Sequence, residues 1–197
     1  MSIIFTGAGC KNNPDNMVVH KIKNIILFGM MGSGKSTLGP GLAKSLGFSF
    51  FDMDQEIEMD YGKSINAIFA EKGETFFREL ELKTAQKLVQ KKDAVIAAGG
   101  GAFENLKTRL ILCKNGFPIL LNGDPKILFQ RVAMNPGNRP LLQTSNPEKS
   151  FLEIYRRRQK DFHKIKNILN VTESNNIELL VSKLKAMYLT QKYCCEN

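Results

Sequence analysis

Residues 29 to 36 read Gly-Met-Met-Gly-Ser-Gly-Lys-Ser. This is the spacing G-x-x-x-x-G-K-[ST], with Gly29, Gly34, Lys35 and Ser36 in the fixed positions. Glycines let backbone N–H groups close around a phosphate, and a helix starting there adds partial positive charge. The stretch Gly32, Ser33, Gly34, Lys35, Ser36 and Thr37 is therefore a candidate cradle for a nucleoside triphosphate. Lys35 would reach the β- and γ-phosphates, and the Ser36 hydroxyl would ligate Mg²⁺. The competing reading is a glycine-rich turn that binds nothing. The apolar run before the motif and the helical pattern after it favour the cradle.

Other residues are of types that do chemistry on a bound phosphate or its acceptor. Asp52 and Asp54 stand two apart in Phe-Phe-Asp-Met-Asp. On an extended stretch both point the same way, one toward a metal and the other toward a substrate hydroxyl. The alternative is helix capping by Asp54, worth roughly 1 kcal/mol. Arg78 lies among Glu74, Glu79 and Glu81. It is either an exposed ion pair of little energetic weight or a bidentate grip on a carboxylate or phosphate. Gly99, Gly100 and Gly101 end an apolar run, and they mark either a sharp turn or a close approach of backbone to a ligand. Arg139 sits in Asn-Arg-Pro-Leu-Leu. It is an exposed loop residue, or it reaches the transferring phosphoryl group in the manner of an arginine finger supplied in cis. Of Arg156, Arg157 and Arg158, at most one or two can face inward on a helix. His20 and His163 form no cluster, and no serine–histidine–acid motif is present.

These groups need a scaffold, and the pattern around them alternates strands with helices. That predicts an α/β fold with a parallel sheet. Strands are expected at Asn24–Phe28, Phe48–Phe51, Ala94–Ala98, Phe117–Leu121 and Ile168–Val171. Helices are expected at Thr37–Leu46, Ser64–Phe69, Glu74–Lys91, Asn105–Lys114 and Asn176–Thr190. Asp124-Pro125 opens another that runs to about Met134. Gly116 is expected to stop the helix before it. Pro40 is expected in the first turn of its helix, where proline is tolerated. Residues 135–150 are rich in Asn, Pro and Gly, and an irregular stretch of that length is often a lid over an active site. Residues 1–21 read as a loose extension, followed by a single domain at 22–192.

The chain has 197 residues, enough for one core. It is 43% hydrophobic and 24% charged, ordinary values for a globular protein. No apolar stretch approaches a membrane span, and Met1–Phe5 is too short for a signal peptide. Cys10, Cys113, Cys194 and Cys195 show neither metal spacing nor a paired framework, which fits a reducing cytoplasm. The C-terminal Cys-Cys-Glu-Asn lacks the aliphatic middle of a prenylation signal. The net charge of +9 raises nucleic acid as a partner. The lysines are dispersed and no nucleic-acid motif occurs, so a basic surface with arginines drawn into an anion site is the better account.

Taken together, the motifs resemble shikimate kinase. They are Gly-Met-Met-Gly-Ser-Gly-Lys-Ser-Thr, Asp-Met-Asp-Gln-Glu-Ile-Glu, Ser-Ile-Asn-Ala-Ile-Phe, Gly-Glu-x-x-Phe-Arg-x-x-Glu, Gly-Gly-Gly-Ala and Arg-Pro-Leu-Leu, in that family's order from about residue 24 to 175. The resemblance implies a three-layer P-loop fold with a five-stranded parallel sheet, related to the nucleoside monophosphate kinases. It implies transfer of the ATP γ-phosphate to the 3-hydroxyl of shikimate, on the route to chorismate and the aromatic amino acids. One Mg²⁺ per site and a monomer are the accompanying expectations, with the substrate region at about 52–85. By the same resemblance Asp54 would take the hydroxyl proton and Asp52 would sit near Mg²⁺. Arg78 and Arg158 would clamp the shikimate carboxylate, helped by Gly100, while Phe69 and Phe77 line the ring pocket. Lys35 and Arg139 would steady the moving phosphoryl group, and Arg131 would neighbour the adenine across a one-residue gap. The chain departs from the pattern where the family has Arg-x-Pro-Leu-Tyr: here it reads Arg158-Gln-Lys-Asp-Phe162. Another small-metabolite kinase, such as gluconate kinase, is the enzymatic rival. A catalytically dead NTP-binding protein is the rival outside enzymes.

Overall fold

In the computed structural model, residues 24–134, 140–172 and 176–194 are described, side chains after residue 190 excepted. Five strands pair in one direction: β1 Ile25–Gly29, β2 Ser49–Asp52, β3 Ala94–Ala97, β4 Phe117–Asn122 and β5 Ile168–Asn170. Their spatial order is β2-β3-β1-β4-β5, every pairing parallel. Successive side chains of a strand point to opposite faces. Ile25, Ile26, Leu27 and Phe28 are all buried, so both faces of the sheet are covered. That is why β1 and β3 read as unbroken apolar runs rather than alternating ones.

The helices are α1 Lys35–Leu46, α2 Met53–Tyr61, α3 Ile65–Leu88, α4 Leu106–Asn115, α5 Pro125–Met134, α6 Pro147–Phe162 and α7 Ile177–Cys194. A 3₁₀ turn, Pro140–Leu142, precedes α6. The main core gathers both faces of the sheet with α1, α5, α6 and α7. A satellite cluster of Ile57, Ile65, Ile68 and Phe77 joins α2 to α3. None of the described helices is long and apolar enough to cross a membrane.

The expected fold class and all five strands are present, with their ends shifted by a residue or two. The two helices expected at Ser64–Phe69 and Glu74–Lys91 form one element, α3, kinked at Gly73 (φ 78°, ψ 176°). Only glycine adopts that conformation without strain. Gly116 ends α4 in an extended rather than a left-handed conformation. Pro40 lies in the second turn of α1, not the first, because the helix begins at Lys35. Burial of Leu38, Leu42 and Ala43 on the far face holds the helix through it. The irregular stretch expected to 150 ends sooner, since Asn146 caps α6 through its side chain and Pro147 opens it. Residues 1–21, expected as an extension, and Arg139 lie outside the described residues.

Register then sets the stage for chemistry. Asp52 pairs with Ala97, and Ala97 with Leu27, so three strand ends lie level. Ligands of open parallel sheets bind beyond the carboxyl ends, where neighbouring connections diverge. Asp54, Gly99–Gly101 and the phosphate loop all follow those ends.

Candidate active site

Beyond the strand ends lies a cleft of about 690 Å³. One part is walled by Gly32, Ser33, Gly34, Lys35, Ser36 and Thr37. Gly34 caps α1 in a left-handed conformation with φ 85°, and the helix N-terminus that it opens borders the cleft. The Lys35 ammonium donates to the carbonyls of Gly29 at 2.9 Å and Met30 at 3.1 Å, straddling the loop. Arg131, on the last turn of α5, borders the same part and donates to the Val171 carbonyl at 3.2 Å.

Asp52 caps α2. Its side chain accepts from the Asp54 N–H at 3.0 Å and from the Ser36 hydroxyl at 2.5 Å. The capping role that the sequence left open to Asp54 therefore belongs to Asp52, and the Asp54 carboxylate is turned into the cleft. A hydroxyl and a carboxylate side by side suit Mg²⁺, which takes one or two protein oxygens and fills its remaining positions with phosphate and water. Among the described residues no larger group of His, Cys, Asp and Glu could cage a metal.

The second part of the cleft is built on the three glycines. A Cβ placed on Gly99 would lie 2.6 Å from Glu81 Oε1 and 2.8 Å from Asp54 Oδ1. Together those distances bound the separation of the two oxygens at 5.4 Å. On Gly100 it would lie 2.9 Å from Arg158 Nη1, and on Gly101 2.6 Å from Arg78 Nη2. None of the three needs a positive φ. The sequence left a turn and a close approach open here, and close approach is the reason for all three: each glycine makes room for a charged side chain.

Arg78 donates from Nη1 to Glu81 at 3.0 Å and from Nη2 to Glu74 at 2.7 Å, and its guanidinium stands over the Phe77 ring at 5.4 Å. It is half-buried, not the exposed ion pair that the sequence also allowed. Phe69 and Phe77 contact each other with centroids 4.9 Å apart and line the cleft. Arg158 is 2% exposed, and it donates from Nε to Glu104 at 2.8 Å. Its neighbours Arg156 and Arg157 are exposed, so one of the three arginines faces inward.

Electrostatics separate the groups. Burial, then Asp52, then Glu81 raise the Asp54 carboxyl to about 7, against the pull of Lys35 and Arg78. A carboxylate poised there is suited to proton transfer near neutral pH. Burial likewise raises Glu81, with Arg78 opposing it. Burial lowers Arg158, only partly offset by Glu104, and Arg78 and Arg157 add like-charge repulsion. Glu81 is the site residue that the sequence reading passed over as one more surface acid. It is fully buried, and among the described residues its Oε1 has no hydrogen-bond partner. The signal was there: Phe77, Glu81, Thr84, Ala85 and Leu88 fall on one helical stripe, and all are buried.

The structure thus brings Lys35, Ser36, Asp52, Asp54, Phe69, Phe77, Arg78, Gly100, Gly101, Arg131 and Arg158 to one cleft. Gly99 stands beneath Asp54 and Glu81. Residues 31–188 match the family model described as shikimate kinase. The shikimate kinase of Chlorobaculum parvum is 42% identical over 168 residues, 81% of this chain and 89% of that protein. The structure of shikimate kinase from Acinetobacter baumannii in complex with shikimate superposes with a TM-score of 0.82 at 33% identity, covering 88% of this chain and 96% of the other. That of the Bacteroides thetaiotaomicron enzyme gives 0.78 at 30%, covering 84% and 98%. A cleft assembled from the same motifs and a match across most of the domain lead to one conclusion: this chain belongs to the shikimate kinase family.

Proposed function

We propose that this protein transfers the γ-phosphate of ATP to the 3-hydroxyl of shikimate, with Asp54 as the proton acceptor. The observation that carries the reading is the convergence of Asp54, Arg78 and Arg158 on three consecutive glycines beside the phosphate loop. Arg78 and Arg158 suit a carboxylate, because a planar guanidinium can grip both of its oxygens. The Phe69–Phe77 wall suits the apolar face of a six-membered ring. With the carboxylate held at the arginines, the hydroxyl faces Asp54.

The hydroxyl oxygen attacks the γ-phosphorus and forms the new O–P bond. The bond to the β–γ bridging oxygen breaks, its electron pair leaving with ADP. The hydroxyl proton passes to the Asp54 carboxylate. Such a transfer needs positioning and charge stabilisation above all. Lys35 supplies positive charge at the β- and γ-phosphates. Ser36 and Asp52 are the residues that would hold Mg²⁺, which when bound neutralises phosphate charge. Arg139, outside the described residues, is proposed to add charge at the phosphoryl group. Arg131 is proposed as the neighbour of the adenine.

The test is an ADP-release assay offering shikimate, gluconate and nucleoside monophosphates in turn. Shikimate is expected to be the best acceptor by orders of magnitude in kcat/KM. Faster turnover of gluconate or of a nucleotide would refute the reading.

A further inference from the structure

We infer that Glu104 is a positioning residue for substrate recognition: it takes the Nε edge of Arg158 and leaves that guanidinium's terminal nitrogens facing the cleft. The inference rests on Arg158 holding the substrate carboxylate. Glu104 lies between the three glycines and α4, in a loop tied by the Ala102 N–H to the Gly99 carbonyl at 3.0 Å and by its own N–H to Gly101 at 2.9 Å. The backbone that makes room for both arginines therefore also carries the carboxylate that aims one of them.

A guanidinium offers two donor edges, its side and its end. The Nε of Arg158 donates to Glu104 Oε2 at 2.8 Å, which occupies the side. Among the described residues, the terminal nitrogens meet only the Met30 thioether, at 3.7 Å. A thioether is a weak acceptor. The end of the fork is left for a ligand beside Gly100, where the would-be Cβ comes within 2.9 Å of Nη1. The other Glu104 oxygen accepts from Arg157 Nε at 2.7 Å, so the carboxylate is held at both ends and cannot rotate away. Arg157 is 60% exposed, and its place is to steady Glu104 rather than to meet substrate.

Charge makes the tether necessary. A buried guanidinium needs a partner, and Glu104 is the carboxylate bonded to Arg158. Arg78 and Arg157 both repel it. Without Glu104, Arg158 would be driven toward solvent, and the carboxylate grip would lose one of its halves. Hydrogen bonds from both arginines outweigh the burial of Glu104 and hold it below the ordinary carboxylate range, so it stays charged where the enzyme works.

Steady-state kinetics of Glu104→Ala, Arg158→Ala and the double variant test this, with shikimate and ATP each varied. Loss of one charge-assisted hydrogen bond corresponds to roughly a 10- to 100-fold change in affinity. Glu104→Ala is expected to raise KM for shikimate about 10- to 100-fold, with KM for ATP changed less than about twofold. The double variant is expected to be no worse than Arg158→Ala. A merely structural Glu104 would lower thermal stability and move both KM values together. The inference is overturned if Glu104→Ala keeps KM for shikimate within about threefold while Arg158→Ala raises it more than about tenfold. If Arg158→Ala itself leaves KM unchanged, the assignment of Arg158 fails, and this inference with it. Should Glu104→Ala not fold, Glu104→Gln keeps an acceptor without the charge and is expected to raise the same KM about three- to tenfold; no change would refute the role.

Discussion

Alanine placed in turn at Gly99, Gly100 and Gly101 is expected to give three different kinetic defects from three adjacent methyl groups. The largest effect on shikimate affinity belongs to Gly101. Its added Cβ would stand 2.6 Å from Arg78 Nη2 and 2.7 Å from Cζ. Ordinary contact between such atoms is about 3.5 Å, so the guanidinium must retreat by roughly 1 Å. Arg78 cannot simply tilt, since Glu74, Glu81 and the Phe77 ring hold it on several sides. A displacement of that size would break the two-point grip on a carboxylate proposed for Arg78. A charge-assisted hydrogen bond is worth about 1.5–3 kcal/mol, which corresponds to a rise in KM for shikimate of roughly 10- to 100-fold. Gly100→Ala meets Arg158 Nη1 at 2.9 Å, a smaller intrusion, and is expected to raise the same KM about two- to fivefold. Gly99→Ala presses on Glu81 Oε1 at 2.6 Å and Asp54 Oδ1 at 2.8 Å. Its defect falls on the proposed proton acceptor, so kcat should drop about 10- to 100-fold while KM moves little. None of the three positions needs a left-handed backbone, so all three variants should fold and keep the wild-type KM for ATP. Initial rates with each substrate varied, together with thermal melts, give the answer. Three variants with the same kinetic pattern, or Gly101→Ala with KM for shikimate within twofold of wild type, would refute the reasoning.

With Asp54 raised to about 7, kcat/KM for shikimate is expected to climb with pH through about 7 and then level. Asp54→Asn should abolish that limb and lower kcat by roughly 10²- to 10⁴-fold; a variant above a tenth of wild-type kcat removes Asp54 from the mechanism. The same shift has a sign in stability: a carboxyl whose folded pKa is raised from 3.8 contributes stability below about 4 that is lost as pH rises through about 7. Urea unfolding of wild type and Asp54→Asn should therefore diverge in the variant's favour by roughly 1–3 kcal/mol between pH 5 and 8. A constant gap contradicts it. Pro40 sits where its missing N–H would have bonded the Ser36 carbonyl on an exposed helix face, so Pro40→Ala is expected to stabilise the protein by about 1–3 kcal/mol in urea unfolding, and no gain would mean that α1 has relaxed around the ring. Arg139→Ala is expected to lower kcat by roughly 10³-fold; a loss under tenfold makes it a loop residue only.

What could be read from the sequence was whatever the chemistry fixes locally. The phosphate loop declares itself because its function is a backbone shape, and that shape demands glycines and a following helix within a few residues. The strands declare themselves because a sheet covered on both faces needs continuous apolar runs, which Ile25–Phe28 and Ala94–Ala97 supply. What stayed ambiguous was any choice between a solvated and a buried charge. Glu81 and Glu79 are both acids in one helix, and only the stripe shared with Phe77 and Leu88 separates the buried one from the exposed one. Spacing alone left Asp54 open to capping as well as to catalysis. The hydrogen bonds from Ser36 and from the Asp54 N–H decide between them. Glu104 left no local trace, because its partner lies 54 residues away and the bond exists only once α6 has docked beside the glycine loop. The three glycines were visible as a cost without an evident return. Their explanation needed four side chains drawn from α2, α3 and α6, Asp54, Arg78, Glu81 and Arg158, which fill the space that the methyl groups would have taken. A motif can therefore show where a ligand's phosphates go, whereas the acceptor side of such a site is written in pairwise contacts between distant segments. It follows that variants at Glu81 and Glu104 should disturb acceptor binding while leaving the nucleotide site intact.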